Sequence, residues 1–173
     1  MLFRSVTISR YNRVGSFGGG NGGGVFIRGL GSSRPGGEIL TLIDGIPVFN
    51  PVWNHPLLDL DPVDAAGAID VFKGPHPAVF GNAFSAVNIV PVQPVGDGLQ
   101  TRLRLAYGSD STWVQALDHS GKEGMLDWAA GGSHRSSDGH RAESDGRMGE
   151  FRLRLGAQLD EHWYASAYVL RTD

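Results

Sequence analysis

A glycine-rich loop is the first feature of the sequence that suggests chemistry. Gly18, Gly20 and Gly23 fit the pattern G-x-G-x-x-G, which in dinucleotide-binding proteins follows a strand and opens a helix. The residues that follow here, Val25–Ile27, have the composition of a strand. The loop is therefore interpreted as a flexible, low-complexity segment. An enzyme that binds phosphate through this loop is the weakest of three functional hypotheses.

Other catalytic and metal-binding patterns are incomplete. Gly31–Arg34 lacks the closing glycine of a nucleophile elbow, and no pair of carboxylates lies in an apolar setting that would separate their pKa values. The spacing of His134, Asp138, His140 and Asp145 matches no metal-binding pattern. The sequence contains no cysteine, which excludes disulfides and thiolate metal sites. We therefore expect no enzyme, no metal site and no cofactor.

Arginines recur at alternate positions in two segments of the second half of the chain. They are Arg102, Arg104, Arg152 and Arg154, and the residues between and beside them include leucines and a phenylalanine. Alternate side chains of a strand point to the same face of a sheet, so all four arginines are expected on one face. That face either meets water in a soluble sheet or faces the lumen of a membrane barrel.

The first ninety residues contain short apolar runs separated by turn residues. Strands are predicted within Leu2–Ile8, at Val25–Ile27, at Ile39–Ile43 and at Ile46–Val48, with a tight turn at Asp44-Gly45. Residues 50–56 are predicted to form a loop. A short helix is predicted from Asp61 to Ala66, with Asp61 as its cap.

The stretch Ala68–Pro91 is predicted to fold as two strands separated by two turns. Lys73-Gly74-Pro75 would form the first turn, and the pair Pro75 and Pro77 leaves little room for a helix. Gly81 would form the second turn, before an apolar strand that starts near Ala86. The first part of the chain is therefore predicted to be α+β, with few helices.

A cluster of glycine and proline at residues 94–98 separates this region from a different pattern. From Leu99 onward about five alternating strands are predicted, at the spacing of an antiparallel meander. The turn at Gly108–Asp110 is short and the segment Ser133–Gly146 is long, as in membrane barrels with short turns on one side and long loops on the other. Aromatic residues near the predicted strand ends also suggest interfacial girdles: Tyr107, Trp113, Trp163 and Tyr164.

The composition limits the possible classes of protein. The chain has 173 residues and a net charge of −3, so it carries no basic footprint for nucleic acid. No apolar run reaches the roughly 18 residues of a transmembrane helix. Residues 1–5 have no apolar signal core, so we expect either that the start is missing or that the protein is not exported.

Three motifs, in order along the chain, carry a resemblance to a known family. The first is Phe26–Gly29, the second is Leu42–Pro47, and the third combines Asp70, Lys73-Gly74-Pro75, Phe80-Gly81 and Val87-Asn88-Ile89. Together they resemble the plug domain of TonB-dependent outer-membrane receptors. Ser85-Ala86 stands where the family usually has a paired glycine.

The resemblance implies a fold and a domain organisation. Residues 1–94 would form an α+β plug domain, and residues 95–173 an antiparallel β-meander that is the start of a transmembrane β-barrel. About five strands cannot close a barrel, and open sheet edges are not tolerated in lipid. We therefore expect the chain to be a fragment with an incomplete barrel.

The resemblance also implies roles for individual residues. Arg28 would pair with carboxylates on the barrel wall, because a guanidinium suits bidentate pairing, and Asp70 and Lys73 would join that polar network. The four alternating arginines would face the lumen. Trp53 and His55 would lie in an outward-facing plug loop that contacts substrate.

The implied function is gated, energy-coupled uptake of a scarce nutrient, such as a ferric siderophore or cobalamin, across the outer membrane of a Gram-negative bacterium. The implied partners are the TonB inner-membrane energy-coupling complex, reached through a missing N-terminal segment, the outer-membrane lipid and a nutrient chelate. No nucleic-acid partner is expected. The rival hypothesis is a soluble β-rich surface module, for example a carbohydrate-binding domain, which would need a closed hydrophobic core.

Overall fold

The structure is a computed structural model that describes residues 6–10, 14, 23–31, 39–50, 55–56 and 63–173. The chain divides into two compact units. The first comprises Met1–Asp61 and Ala68–Pro91, and the second comprises Pro62–Gly67 and Val92–Asp173. Among the described residues, no helix has the length and apolarity needed to cross a membrane.

The first unit begins with a small antiparallel sheet. Its strands are β1 (Val6–Arg10), β2 (Gly23–Ile27) and β3 (Leu30–Gly31), in that order. Ile27 of β2 is completely buried, so this short apolar run forms a strand by packing one side chain into the interior. The strands predicted within residues 2–8 and 25–27 are confirmed in their described part. The flexible loop predicted at Gly15–Gly24 was wrong for Gly23 and Gly24, which belong to β2, and residues 15–22 lie outside the described residues.

A tight hairpin follows, formed by β4 (Ile39–Ile43) and β5 (Ile46–Pro47). Asp44 and Gly45 have φ angles of 50° and 80°, which is the pair of left-handed residues that a two-residue hairpin turn requires. The predicted Asp-Gly turn is therefore confirmed. Pro47 is tolerated because β5 is an edge strand.

The predicted loop of residues 50–56 is partly a strand pair. β6 (Phe49–Asn50) and β7 (His55–Pro56) pair antiparallel, and residues 51–54 lie outside the described residues. The loop prediction was therefore wrong for the residues at its two ends.

The hairpin strand β4 belongs to a mixed sheet with β8 (Ala66–Phe72) and β9 (Ser85–Pro91), in the order β5-β4-β9-β8. β4 and β9 are parallel. The core of this sheet is apolar and lies on its two central strands, where the buried hydrophobic residues are Ile39, Leu42, Ala86 and Ile89. The two strands predicted within residues 68–91 are confirmed.

Two predictions about helices in this region need correction. Between β8 and β9 the chain forms a one-turn helix, α1 (Pro77–Phe80), because a proline suits the first turn of a helix and Phe80 packs on Phe72 with ring centroids 4.9 Å apart. The helix predicted at residues 61–66 is instead a 3-10 turn at Val63–Ala65. Its predicted cap, Asp61, lies outside the described residues.

The second unit contains a five-stranded antiparallel meander in chain order. Its strands are β10 (Gly98–Gly108), β11 (Thr112–Glu123), β12 (Leu126–Ser137), β13 (Gly146–Gln158) and β14 (Tyr164–Thr172). The predicted meander of about five strands is confirmed. The strands are longer than the alternating runs that indicated them, because backbone pairing continues through serines, glycines and histidines that break the alternation.

The turns of this sheet do not have the predicted arrangement, with the short turn on one side and the long loop on the other. The short turn 109–111 and the loop 138–145 lie at the same end of the sheet, where the Asp138 N–H donates to the Asp110 carbonyl at 2.9 Å. The turns at the other end are 124–125 and 159–163. Two strands, β11 and β12, separate these two connections, and an even number of antiparallel strands returns the chain to the same end of the sheet. The prediction that they lie on opposite sides was therefore wrong.

The register divides the sheet into two chemically distinct faces. We call the first the arginine face, and its charged strand residues are Arg102, Arg104, Asp118, Lys122, Asp127, Arg135, Glu150, Arg152 and Arg154. We call the second the apolar face, and its larger apolar members are Leu99, Leu103, Leu105, Tyr107, Trp113, Leu117, Leu126, Trp128, Phe151, Leu153, Leu155 and Val169. The charged residues on this second face, Glu123, Arg147 and Arg171, lie near strand ends. The predicted sharing of one face by the four alternating arginines is confirmed.

The apolar face is open in the part of the chain that the structure describes. Leu103 is 65% exposed and Leu155 is 53% exposed. Aromatic side chains lie near both ends of this face: Tyr107 and Trp113 stack with centroids 4.8 Å apart at one end, and Trp163 is exposed at the other. Tyr164, expected in such a girdle, instead has its hydroxyl on the arginine face, bonded to Asp127.

Candidate functional site: an arginine–carboxylate network

Asp118 is the centre of the arginine face. Arg102 donates to its Oδ2 through Nε at 3.2 Å and Nη2 at 3.0 Å, and the Nη2 of Arg152 donates to Oδ1. The carboxylate is only 4% exposed. A buried carboxylate is stable only when charged or polar donors replace water, and here one guanidinium serves each oxygen.

Gly131 allows Arg152 to reach Asp118. In the register, Gly131 of β12 lies directly between Asp118 of β11 and Arg152 of β13. A Cβ at this position would lie 2.6 Å from the Leu117 carbonyl oxygen and 3.0 Å from the Arg152 Nη2 atom. The missing side chain therefore leaves a path by which the guanidinium crosses one strand.

Glu150 extends the network along β13. Its carboxylate accepts a hydrogen bond from Arg152 Nη1 and one from the Ser133 hydroxyl at 3.1 Å. The side chains of Glu150 and Arg152 are 2% and 6% exposed. Arg152 thus bridges two buried carboxylates, Asp118 and Glu150.

Asp64 brings a separate segment of the chain onto the same face. Arg135 donates to both of its carboxylate oxygens, through Nε at 2.7 Å and Nη2 at 2.6 Å. Arg104 adds a third donor at 3.2 Å. The Asp64 side chain is 4% exposed, and the Arg135 and Arg104 side chains are 13% and 52% exposed. The Arg135 pair is therefore buried and bidentate, whereas Arg104 closes the site from its exposed side.

Backbone contacts add to this attachment of segment 62–67. Arg102 Nη2 donates to the Ala66 carbonyl at 3.3 Å, and Arg104 Nη1 donates to the Asp64 carbonyl at 3.4 Å. Three arginines from two strands therefore hold one six-residue segment. We call this arrangement the Asp64 clamp, comprising Asp64, Arg102, Arg104 and Arg135.

A second cluster lies toward the other end of the arginine face. Tyr164 donates its hydroxyl to Asp127 Oδ2 at 2.8 Å, and Arg154 donates to both Asp127 and the Tyr164 oxygen. A Cβ at Gly156 would collide with the Tyr164 hydroxyl and the Asp127 carboxylate. A second glycine thus provides room for a second cross-strand pair.

The three residues predicted for plug–barrel contacts lie at different places in the first unit. Arg28 lies in the turn between β2 and β3, exposed, with a φ of 54°, a left-handed conformation made easier by Gly29 after it. Lys73 follows β8. Their predicted contacts with a barrel wall stay predictions.

Asp70 takes part in a local link between two of the family-like motifs. It accepts a hydrogen bond from Asn88 Nδ2 at 3.4 Å, and Asn88 Oδ1 accepts the Gly45 N–H at 2.9 Å. The Asp44 N–H donates to the Ile89 carbonyl at 3.0 Å. The Asp-Gly turn is thus fixed on the end of β9, which gives a structural reason for these residue types.

The two substrate candidates are placed only in part. Trp53 lies outside the described residues. His55 begins β7, paired with Asn50. Their predicted contact with substrate stays a prediction.

Sequence reasoning missed the carboxylates of the site. Asp64 was assigned to the interior of a short helix, and Asp118 and Glu150 were given no role. For Glu150 the available signal was its place two residues before Arg152, because alternate residues of one strand share a face. For Asp118 the common face becomes known only from the register between β10 and β11, which one strand alone does not reveal.

The fold matches those of three solved structures, one described as a receptor and two as transporters. The chain superposes on the pyoverdine outer-membrane receptor FpvA of Pseudomonas aeruginosa PAO1 with a TM-score of 0.72 and 16% identity, over 97% of this chain and 23% of that one. It superposes on the copper transporter OprC with a TM-score of 0.72 and 18% identity, over 98% of this chain and 26% of OprC. It superposes on the FrpB iron transporter of Neisseria meningitidis (F5-1 variant) with a TM-score of 0.68 and 15% identity, over 91% of this chain and 26% of FrpB. The chain thus spans about a quarter of each of these proteins.

The family model for the TonB-dependent receptor plug domain matches residues 4–87. Together with the structural matches, this confirms the resemblance predicted from the three motifs. Segment 62–67, with the clamped Asp64, falls inside the residues that match the plug model. The predicted outer-membrane location is also the one that the description of FpvA gives for that receptor.

Proposed function

We propose that the chain is part of a TonB-dependent receptor of the Gram-negative outer membrane that takes up a scarce nutrient by gated, energy-coupled transport. The observation that carries this proposal is the burial pattern of the five-stranded sheet. Leu103, Leu105, Leu117 and Leu155 are exposed, while Asp118 and Arg152 are buried. Exposing apolar surface to water is unfavourable by about 25 cal/mol per Å², but contact with lipid removes that cost.

The dimensions of the apolar face support contact with a membrane. Trp113 lies level with residue 147 of β13, and Trp163 lies level with residue 159. The span 147–159 measures about 40 Å along the strand at about 3.3 Å per residue. At a tilt of about 45° this corresponds to about 28 Å along a barrel axis, close to the roughly 25 Å apolar band of outer-membrane barrels.

The proposed architecture has residues 1–94 as the plug and residues 95–173 as the first arc of the barrel wall. In that arrangement the arginine face, with Arg102, Arg104, Arg152 and Arg154, lines the lumen. The edges at β10 and β14 would be paired by further strands of the whole protein, because unpaired backbone is not tolerated in lipid.

The Asp64 clamp supports a plug that is held by polar contacts. When a plug rearranges, water can replace the partners of such polar contacts. Water does not replace the packing of an apolar interface, so the free energy of that packing would be lost. In the same proposal Arg28, Asp70 and Lys73 add plug–barrel contacts, and Trp53 and His55 contact the substrate on the outer side.

The proposed substrate is a scarce metal-containing nutrient such as a ferric siderophore or cobalamin. The structures that share the fold are described as a pyoverdine receptor, a copper transporter and an iron transporter, which supports this substrate class and a receptor rather than an enzyme. The proposed energy source is the TonB inner-membrane complex, acting through an N-terminal segment.

The test uses the full-length gene in a Gram-negative host that lacks its own siderophore receptors. We expect the protein in the outer-membrane fraction, with folded migration on unheated gels that shifts on boiling. We expect uptake of radiolabelled ferric siderophore that disappears when the host TonB is deleted. A soluble full-length monomer would contradict the proposal and favour the rival surface-binding module. Outer-membrane insertion with TonB-independent uptake would contradict the energy-coupling step.

A further inference from the structure

The apolar face carries a groove near its β14 edge. It has a volume of about 560 Å³ and lies over β12, β13 and β14. The side chains that line it on the apolar face are Leu126, Trp128, Leu155, Ala157, Ala165 and Ala167. The other two side chains at its margin, of Asp127 and Ser166, belong to the arginine face by register. The lining of the groove is therefore hydrocarbon and indole.

The groove results from a contrast in side-chain size. Trp128 and Leu155 form its bulky side, and Ala165 and Ala167 of β14 its shallow floor. The Trp128 indole covers Gly121 of the preceding strand, where a Cβ would lie 2.8 Å from the Trp128 Cε2 atom. The ring therefore lies toward β11, which leaves the space over β13 and β14 open.

The chemistry of the groove selects its occupant. A peptide segment would bring backbone N–H and C=O groups, and an unpaired polar group in an apolar environment costs several kcal/mol. The backbones of β12 and β13 are already paired on both sides, and the side chains facing the groove offer no hydrogen-bond acceptor. An alkyl chain has no such requirement.

The groove is also continuous with the surface that is proposed to meet lipid. It opens toward the sheet end that has the turns 124–125 and 159–163. There, exposed side chains extend the apolar surface onto the turns: Met125 is 64% exposed, Leu159 is 60% exposed and Trp163 is 68% exposed. Tryptophan at this level is typical of the headgroup boundary.

We propose that this groove is a binding site for one acyl chain of a membrane phospholipid, with the headgroup level with Trp163. The inference rests on the proposed function, because it requires the apolar face to lie in a membrane. It goes further because it assigns one retained lipid to the groove, whereas lipid over the remainder of the face exchanges.

Native mass spectrometry of the full-length protein tests this site. The protein is purified in detergent, checked for heat-modifiable migration, and supplied with palmitoyl-oleoyl phosphatidylethanolamine as the probe. We expect the wild type to retain one probe molecule under conditions that strip detergent. Ala167→Phe fills the floor of the groove and is expected to lose that mass. Ala165→Leu fills the adjacent position and serves if Ala167→Phe fails to fold.

The matched control is Val169→Phe, which adds the same ring to the same strand and face outside the groove. It is expected to keep the bound probe. A folded wild type without a retained probe, or retention unchanged in both filling variants, would overturn the groove proposal while the receptor proposal stands. A dimer that dissociates in Ala167→Phe would overturn it in favour of a second copy of the chain. A protein that is soluble without detergent would refute both proposals.

Discussion

The two faces of the five-stranded sheet have opposite relations between polarity and exposure. On the arginine face, Asp118 and Arg152 are 3% and 5% exposed, whereas Leu103 on the apolar face is 65% exposed. A water-soluble antiparallel sheet has the reverse arrangement, with its apolar face packed on a core. The proposed function accounts for this difference, because it surrounds the arginine face with ion pairs and the apolar face with lipid hydrocarbon.

The largest expected effect comes from breaking a buried pair on the arginine face. Arg152→Met removes the cation that bridges Asp118 and Glu150, and leaves Glu150 buried with only the Ser133 hydroxyl as a donor. The free energy of unfolding should fall by about 3–5 kcal/mol, because an uncompensated charge stays buried. Urea unfolding of the full-length protein in lipid vesicles measures it.

The control for this change is Arg171→Met. Arg171 and Asp173 form a pair whose side chains are 75% and 73% exposed, so the loss should not exceed about 1 kcal/mol. Equal losses in the two variants would show that burial does not set the strength of these pairs.

The loss of stability caused by a charge on the apolar face shows whether that face is surrounded by lipid or by water. Leu103→Arg should destabilise the protein by about 2–4 kcal/mol if the residue lies near the middle of a bilayer. In water, an arginine at this exposed position would change stability by no more than about 0.5 kcal/mol. Unfolding in vesicles measures the difference.

Leu159→Arg provides the comparison for that charge. Leu159 is 60% exposed but lies in the turn 159–163, at the level of the interface, where the expected cost is about 0–1 kcal/mol. Tolerance of arginine at both positions would argue against lipid contact.

The two arginines of the Asp64 clamp that bind the Asp64 carboxylate should contribute unequally to stability. Arg135→Ala removes a bidentate, largely buried donor pair and should cost about 1.5–3 kcal/mol, the range for hydrogen bonds to charged groups. Arg104→Ala removes a half-exposed partner of the same carboxylate and should cost no more than about 1 kcal/mol. Unfolding free energies measure both losses, and the reverse order would mean that Arg104 is the main anchor of segment 62–67.

A packing effect is expected at the glycine through which Arg152 crosses β12. Gly131→Ala places a Cβ against the Leu117 carbonyl and the Asp118–Arg152 pair, and should cost about 1–3 kcal/mol through overpacking. Gly149→Ala is the control, since a Cβ there would have no neighbour closer than 3.9 Å. The urea midpoints of the two variants give the comparison, and an unchanged midpoint for Gly131→Ala would show that the crossing is not tightly packed.

The sequence predicted the strands and turns better than the contacts. The Asp44-Gly45 turn and the shared face of Arg102 and Arg104 follow from local rules: backbone conformation at a turn, and the two-residue period of a strand. The partners of those arginines depend on register across β10–β13, which one strand does not reveal.

The errors have the same origin in long-range structure. α1 forms despite two nearby prolines because Phe80 packs on Phe72, and Asp64 leaves its predicted helix because arginines distant in sequence bind its carboxylate. The two connections at 109–111 and 138–145 were assigned to opposite sides from their lengths alone. The two antiparallel strands between them, β11 and β12, place both connections at one end of the sheet.

The absence of a side chain at Gly131 couples the evolution of three residues of this protein. A lineage that acquires a side chain there loses the path from Arg152 to Asp118, which leaves Asp118 paired with Arg102 alone and Arg152 paired with Glu150 alone. Substitutions at 118, 131 and 152 should therefore occur together among descendants of this sequence, although the three positions lie on three different strands.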